Sequence, residues 1–271
     1  MKMKKIAVVN DISGLGKCSL TAALPVISAH GIQCCPLPTG VFSNQTGYES
    51  FQSVDLTDFM QSYIDEWKQR DVAFDGILTG FIPNSRQGDI IARFIDDFKR
   101  DNTIVAVDPI MGDAGEIYPC YGADSIAAVK RLALTADIIT PNLTELALLC
   151  EKEPSTAFSE YEIEEMSASL GIPTVIATGV PVSKTVLANA VYHEGHFEMI
   201  PCNRLGHHFS GTGDIFSAYV LSEYLNGTDI FEAVRKASAF IEKAIAETLK
   251  TQPARHYHPD GIDFEAFLKT E

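Results

Sequence analysis

The sequence predicts an α/β fold in which a mostly parallel sheet is sandwiched between helices, with a small antiparallel hairpin late in the chain. Three observations carry this expectation. Short β-rich apolar runs alternate with helical patterns, the runs lack the polar alternation of a half-exposed sheet, and acid- or glycine-bearing turns follow several of them.

The apolar runs fall at residues 6–9, 77–79, 104–107, 138–140 and 174–177. Helical patterns fall at 19–30, 88–99 and 123–134, from 144 onward, and at 159–170. Strand, helix, strand is the unit that builds a parallel sheet, because a parallel partner is reached only by a crossover connection. Residues 185–192 and 196–200 read instead as two strands turned at His193-Glu194-Gly195, an antiparallel hairpin. The end of the chain is helical, at 214–225 and 229–249. In the second of these Phe231, Val234, Ala237, Ile241 and Ile245 recur at three- and four-residue spacing and predict a core-facing stripe. No internal repeat or Pro/Ser-rich linker interrupts the pattern, so residues 1–271 are expected to form one domain.

Composition excludes several classes of partner. With 21 basic against 36 acidic side chains the net charge is −15, which argues against nucleic acid, since such binding needs a basic face. No stretch approaches the roughly 20 apolar residues that span a bilayer, and the N-terminus lacks a signal-peptide cleavage pattern. The expectation is a cytoplasmic protein with a small-molecule substrate, no nucleic acid and no membrane. The cysteines, at 18, 34, 35, 120, 150 and 202, have neither C-x-x-C nor zinc-site spacing and read as reduced core residues.

A first glycine loop, Asp11-Ile-Ser-Gly-Leu-Gly-Lys-Cys-Ser19, follows a strand and precedes a helix, where phosphate-binding loops sit. It fails the P-loop pattern, with Asp11 where the leading glycine belongs and Cys18 where Ser or Thr belongs. It also fails the dinucleotide fingerprint, because the third glycine is replaced by Ser19, which argues against an NAD-dependent dehydrogenase. Asp11 and Ser13 are left as polar groups suited to a small substrate.

The strongest signal is Ser210-Gly211-Thr212-Gly213-Asp214, a glycine turn that opens directly into an apolar helix. Backbone N–H groups at Gly211, Thr212 and Gly213 can converge on an anion, helped by the helix dipole. A carboxylate beside bound phosphate repels it, so Asp214 makes sense as the base that receives a proton from an attacking hydroxyl. Asp108-Pro109-Ile-Met-Gly112-Asp113 and Thr140-Pro141-Asn142-Leu-Thr-Glu145 place further acids after buried strands. Asn142 and Glu145, three residues apart on an incoming helix, suit a hydrated Mg²⁺; a helix capping box is the alternative, and the neighbouring acidic strand end and Gly-Thr-Gly-Asp turn favour the metal.

Together these motifs resemble the ribokinase-like superfamily, specifically its pyridoxal kinase and hydroxymethylpyrimidine kinase branch. Phe42-Ser-Asn44-Gln45-Thr46-Gly47-Tyr48 and Leu78-Thr79-Gly80-Phe81 extend the likeness nearly end to end. The resemblance implies a helix-covered sheet, ATP with Mg²⁺ and often K⁺, and a homodimer. It assigns Asp214 as catalytic base and Gly211 to Gly213 as the anion hole. It puts Asp108, Asp113, Tyr118, Thr140, Glu145 and Thr178 at the nucleotide and metal site, and Asp11, Phe42 and Thr46 at the B6 ring. Asn44 and Phe81 stand in the two ring-side motifs and are expected to face the substrate too. Gln45, Phe81 and Asp11 depart from the family's His, Tyr and Ser, so the nucleotide half carries over more directly than the ring half. The Asp11-x-Ser13-Gly14-x-Gly16 start is similar to that of hydroxymethylpyrimidine kinases. Those enzymes usually carry Cys where this chain has Asp214, which favours phosphorylation of a B6 hydroxymethyl group. A nucleotide- or B6-binding module without turnover is the reading of another class. Residues 112–122 are expected to close over the phosphates.

Overall fold

Alternate residues of β1 (Lys5–Ser13) enter two different cores, because successive strand side chains point to opposite faces of a sheet. Ala7 and Val9 join one cluster, Ile6 and Val8 the other, and all four are fully buried. That is the behaviour of a central strand covered on both sides. The computed structural model describes residues 3–206, 208–252 and 257–268.

After β1 come α1 (Ser19–Ala29), β2 (Gln33–Phe42), β3 (Ser53–Asp55), α2 (Thr57–Gln69), β4 (Gly76–Thr79), α3 (Ser85–Phe98) and β5 (Ile104–Val107). A two-stranded hairpin follows, β6 (Gly112–Asp113) and β7 (Glu116–Ile117), then α4 (Ala123–Ala133), β8 (Ile138–Ile139), α5 (Leu143–Leu149) and α6 (Glu160–Ser169). The chain continues through β9 (Thr174–Pro181), β10 (Val186–His193), β11 (His196–Asn203), β12 (His208–Phe209), α7 (Thr212–Leu225), α8 (Ile230–Thr251) and β13 (Tyr257–His258).

Nine strands form one sheet in the order β11-β10-β9-β8-β5-β4-β1-β2-β3. The run from β9 to β2 is parallel throughout. Antiparallel strands close both edges, β3 at one end and the β10–β11 hairpin at the other. One face is packed by side chains of α2 to α6, including Phe94, Phe98, Leu132 and Leu146; the other by α1, α7 and α8. In α8, Val234 and Ala237 are fully buried, while Phe231, Ile241 and Ile245 pack at the cluster's margin, so the expected stripe is the core-facing one. No helix among the described residues is long and apolar enough to cross a membrane.

The sequence pattern places no element between residues 30 and 77, whereas the structure has β2, β3 and α2 there. Pro36, Pro38 and Gly40 mask β2. The Gln33 amide donates to the carbonyl of Lys4, just before β1, so the amide positions of Pro36 and Pro38, out of phase with it, face the outer edge. There β3 pairs only with residues 40–42, and a missing N–H leaves no ladder bond broken.

Strand order fixes where a ligand can enter. From β1 the chain passes to β2 on one side and to β4 on the other, so the C-terminal ends of β1 and β4 border the crevice where the sheet's winding reverses. Asn10 and Asp11 lie at the first of these ends and Gly80 and Phe81 at the second.

Candidate active site

The turn into α7 admits only glycine at its first position. Gly211 sits at φ 76°, and a Cβ there would lie 1.9 Å from the Lys17 carbonyl oxygen. The start of α7 is thereby pressed against the loop that precedes α1. Gly211 is the N-cap and has no side chain to cap the turn, so no N-cap side chain occupies the first-turn N–H groups. Asp214 occupies this first turn, half-buried.

Each carboxylate oxygen of Asp214 has its own donor. Asn10 Nδ2 reaches Oδ1 at 2.8 Å, and the Ser19 main-chain N–H reaches Oδ2 at 2.8 Å. Burial raises the Asp214 carboxyl to about 6; the Ser19 and Asn10 hydrogen bonds hold it down, and the nearby Asp11 charge adds to the rise. A carboxylate with that affinity accepts a proton readily and is ionised at neutral pH.

Behind Asp214 lies a second acid. Asp11 is 6% exposed and accepts hydroxyl bonds from Ser19 (2.6 Å) and Ser13 (3.0 Å). Asp11 and Ser13, expected to face a small substrate, are therefore bound to each other, and Asp11 to the Ser19 turn. Burial raises the Asp11 carboxyl as well.

On the other flank, Asp108 follows β5 and is buried, with Ser217 Oγ 3.4 Å from its Oδ2. Ser217 Oγ in turn lies 2.8 Å from Thr140 Oγ1, linking the ends of β5 and β8 to α7. Burial and the charge of Asp214 push the Asp108 carboxyl upward.

Asn142 and Glu145 form the capping box of α5: Asn142 Oδ1 accepts from the Glu145 N–H at 3.0 Å, and Glu145 Oε2 accepts from the Asn142 N–H at 2.8 Å. Glu145 Oε1 also takes the Met111 N–H at 3.1 Å, and Asn142 Nδ2 donates to the Gly112 carbonyl at 2.7 Å. The pair thus clamps the Asp108–Gly112 turn onto α5. Of the two sequence readings, capping box and Mg²⁺ site, the capping geometry is present; a metal would be reached through water. Glu145 is buried, and its carboxyl is raised well above the usual range by burial and by Asp108.

The donor chemistry fits a hard cation held that way. Asp108 and Glu145 offer carboxylate oxygens with no Lys or Arg ion pair among the described residues. No group of three or more His, Cys, Asp or Glu among the described residues is placed to hold a metal alone. Mg²⁺ prefers such a site, with few protein ligands and several waters and phosphates.

The expected closing loop is the β6–β7 hairpin. It is pinned by the Gly115 N–H to Thr144 Oγ1 (2.9 Å) and by the Tyr118 N–H to the Met111 carbonyl (3.0 Å). Asp113 accepts the Ala114 N–H at 2.7 Å and lies 3.6 Å from His208 Nδ1. Burial and the acids around it raise the Tyr118 phenol. Thr178 donates its N–H to the Pro141 carbonyl at 2.8 Å, tying the ends of β8 and β9.

At the opposite end are aromatic side chains. Phe42 lies 6.3 Å from Phe81 and 5.7 Å from Phe51, and Phe81 lies 5.9 Å from Tyr121, measured between ring centroids. Asn44 does not project into this group: its amide ties the loop after β2 by donating to the carbonyls of Ser50 (2.8 Å) and Gln45 (3.2 Å). Thr46 is exposed on the same loop. Gln45, at the family's histidine position, donates to the Tyr257 hydroxyl at 2.7 Å and accepts the Gly47 N–H at 2.6 Å.

Asn10 is absent from the sequence-derived set. It is 3% exposed, and a Cβ on Gly80 would stand 2.3 Å from its Nδ2, so glycine at 80 is what lets it lie across the strand end. A single asparagine outside any motif gives no sign of a partner 204 positions away.

Residues 16–259 match the phosphomethylpyrimidine kinase family. The chain belongs to that family. A pyridoxal kinase of Leifsonia xyli is 27% identical to this family member over 258 residues, covering 91% of this chain and 90% of that one. A Bacteroides thetaiotaomicron protein assigned as a phosphomethylpyrimidine kinase, crystallised with pyridoxal, superposes with a TM-score of 0.94 at 35% identity, over 98% of this chain and 95% of that one. Pyridoxal kinase of Lactobacillus plantarum superposes with a TM-score of 0.89 at 26% identity, over 98% and 96% of the two chains. These matches place this kinase in the pyridoxal kinase branch of the ribokinase-like superfamily, with the helix-covered, mostly parallel sheet and terminal hairpin that the motifs imply.

Proposed function

We propose that this protein transfers the γ-phosphoryl group of ATP to the 5′-hydroxymethyl group of a vitamin B6 compound: pyridoxal, pyridoxamine or pyridoxine. The observation that carries the reading is the fixed Asp214 carboxylate in the first turn of α7, beside the uncapped N–H groups of the Gly211–Gly213 turn.

Asp214 accepts the hydroxymethyl proton as that oxygen attacks the γ-phosphorus in line, and the bond to the departing ADP oxygen breaks. The α7 N-terminus stabilises the charge on the transferring group. Mg²⁺, when bound through water at Glu145 and Asn142, supplies neutralisation of phosphate charge. Phe42 and Phe81 offer apolar ring surface at the other end of the crevice.

The B6 substrate class is supported by the names of the relatives and by pyridoxal in the Bacteroides crystal. Hydroxymethylpyrimidine is the competing substrate, favoured by the Asp11-x-Ser13-Gly14 start and by the breadth of the family. ADP release with Mg-ATP and each of pyridoxal, pyridoxamine, pyridoxine and hydroxymethylpyrimidine separates the two. Turnover with a B6 compound supports the assignment, turnover with hydroxymethylpyrimidine alone transfers the enzyme to pyrimidine phosphorylation, and silence with all four overturns a kinase acting on either class.

A further inference from the structure

Asn10 is the point where the two halves of the site meet. Its Nδ2 donates to Asp214 Oδ1 at 2.8 Å, while its Oδ1 accepts two main-chain N–H groups, from Asp11 at 3.0 Å and from Phe81 at 2.9 Å. One buried side chain thus joins the end of β1, the end of β4 and the first turn of α7. Oδ1 is committed to two donors, so the amide cannot rotate without orphaning buried N–H groups, and the direction of Nδ2 is fixed. The remaining Asp214 oxygen is held by the Ser19 N–H. Ser19 has a left-handed backbone, φ 51°, with its hydroxyl on Asp11 at 2.6 Å. A non-glycine residue in that region is held there by its surroundings.

We infer that Asn10 is a positioning residue for phosphoryl transfer, which orients the Asp214 carboxylate through Nδ2 and, through Oδ1, sets its placement relative to Phe81. This rests on Asp214 being the base. The side chains facing that carboxylate from the packed elements are Asp11 at the end of β1, Cys18 before α1 and Asp108 after β5, each acidic or neutral. No cationic side chain among these shares the task, and Asn10 is the one side-chain donor. Loss of its donation therefore leaves Asp214 with main-chain donors only and an electrostatic surrounding that favours the proton-bound form.

Asn10→Asp keeps shape and an acceptor for the Asp11 and Phe81 amides, replaces the donor with an acceptor, and adds a like charge beside Asp214 that pushes its carboxyl in the same direction; the uncharged Asn10→Ser separates the two effects. The acid limb of kcat/KM, followed from pH 5 to 9, is expected to move upward by about one unit or more, which by itself lowers the rate at pH 7 about twofold, and misorientation of the carboxylate adds a further loss on the pH-independent plateau. KM for ATP is expected within about twofold of wild type, since the Asn10 side chain hydrogen-bonds Asp214, Asp11 and Phe81 and not the Gly211–Gly213 turn. Should the added carboxylate prevent folding, Asn10→Ser, uncharged and too short to reach Asp214, reads the same quantities. A packing role alone would lower the folded fraction and leave the pH limb and the kcat of the folded enzyme where they were, and that result overturns the inference. Asp214→Asn, measured alongside, separates the failures: an active Asp214→Asn defeats the base, whereas an inactive one beside an unshifted Asn10 variant defeats Asn10 alone.

Discussion

Ser19 donates its main-chain N–H to Asp214 Oδ2 at 2.8 Å, joining the first residue of α1 to the first turn of α7 across 195 positions of sequence. The bond requires a left-handed serine, and the Asp11 carboxylate holds that serine by its hydroxyl. Two acids at the mouth of one crevice thus have different work: Asp11 shapes the turn, and Asp214, held by the turn, faces the uncapped helix start.

As the proposed base, Asp214 must be ionised to act. Because burial pushes the Asp214 carboxyl up to about 6, kcat/KM is expected to fall tenfold per pH unit below about 6 and to level above it. The Asp11 charge raises that value, so Asp11→Asn is expected to shift the limb to lower pH. A rate profile from pH 4.5 to 8.5 on both proteins checks the position and the sign.

The same raised carboxyl opposes stability. A carboxyl that holds its proton more tightly folded than unfolded favours folding at low pH and loses that contribution as pH rises from about 4 to about 6. The stability of Asp214→Asn relative to wild type should therefore grow across that interval and stay level above it. Allowing for the half-buried setting, the gain is about 1–2 kcal/mol. Urea unfolding at pH 4, 5, 6 and 7.5 reads it; a difference independent of pH contradicts it.

Gly211→Ala should damage the fold before the chemistry. A left-handed alanine costs about 1–2 kcal/mol, and its Cβ would stand 1.9 Å from the Lys17 carbonyl, forcing apart the two loops that hold Ser19 and Asp214. A fall in Tm of several degrees together with loss of turnover is the expected result, checked by thermal unfolding and ADP release.

Glu145→Ala removes the acceptor of two buried main-chain donors, Met111 and Asn142. Each orphaned donor costs about 1–3 kcal/mol. Glu145→Gln retains an acceptor and should recover part of the loss. Urea midpoints of the two variants test this clamp independently of metal binding.

Much of this was legible in the sequence. Alternating strands and helices, the β10–β11 hairpin, the Gly211-Thr-Gly-Asp214 turn and the acids after β5 and β8 are local patterns, each set by a few neighbouring residues. What was hidden is relational. β2 breaks strand propensity with two prolines whose amides face an open edge, so only the register shows why they are tolerated. Asn142 and Glu145 fit two patterns at three-residue spacing, and the Met111 and Gly112 contacts show how fully the capping pair is used. Asn10 belongs to no motif, and its role exists only through Asp214 and Phe81.

The measurement closest to the central claim is product analysis by mass spectrometry after incubating the protein with Mg-ATP and pyridoxal, with wild type and Asp214→Asn side by side. The account predicts pyridoxal 5′-phosphate from wild type and roughly 10² to 10⁴-fold less from the variant, with ATP binding retained. Absence of the phosphate from wild type, or its formation by the variant at an unchanged rate, would contradict it.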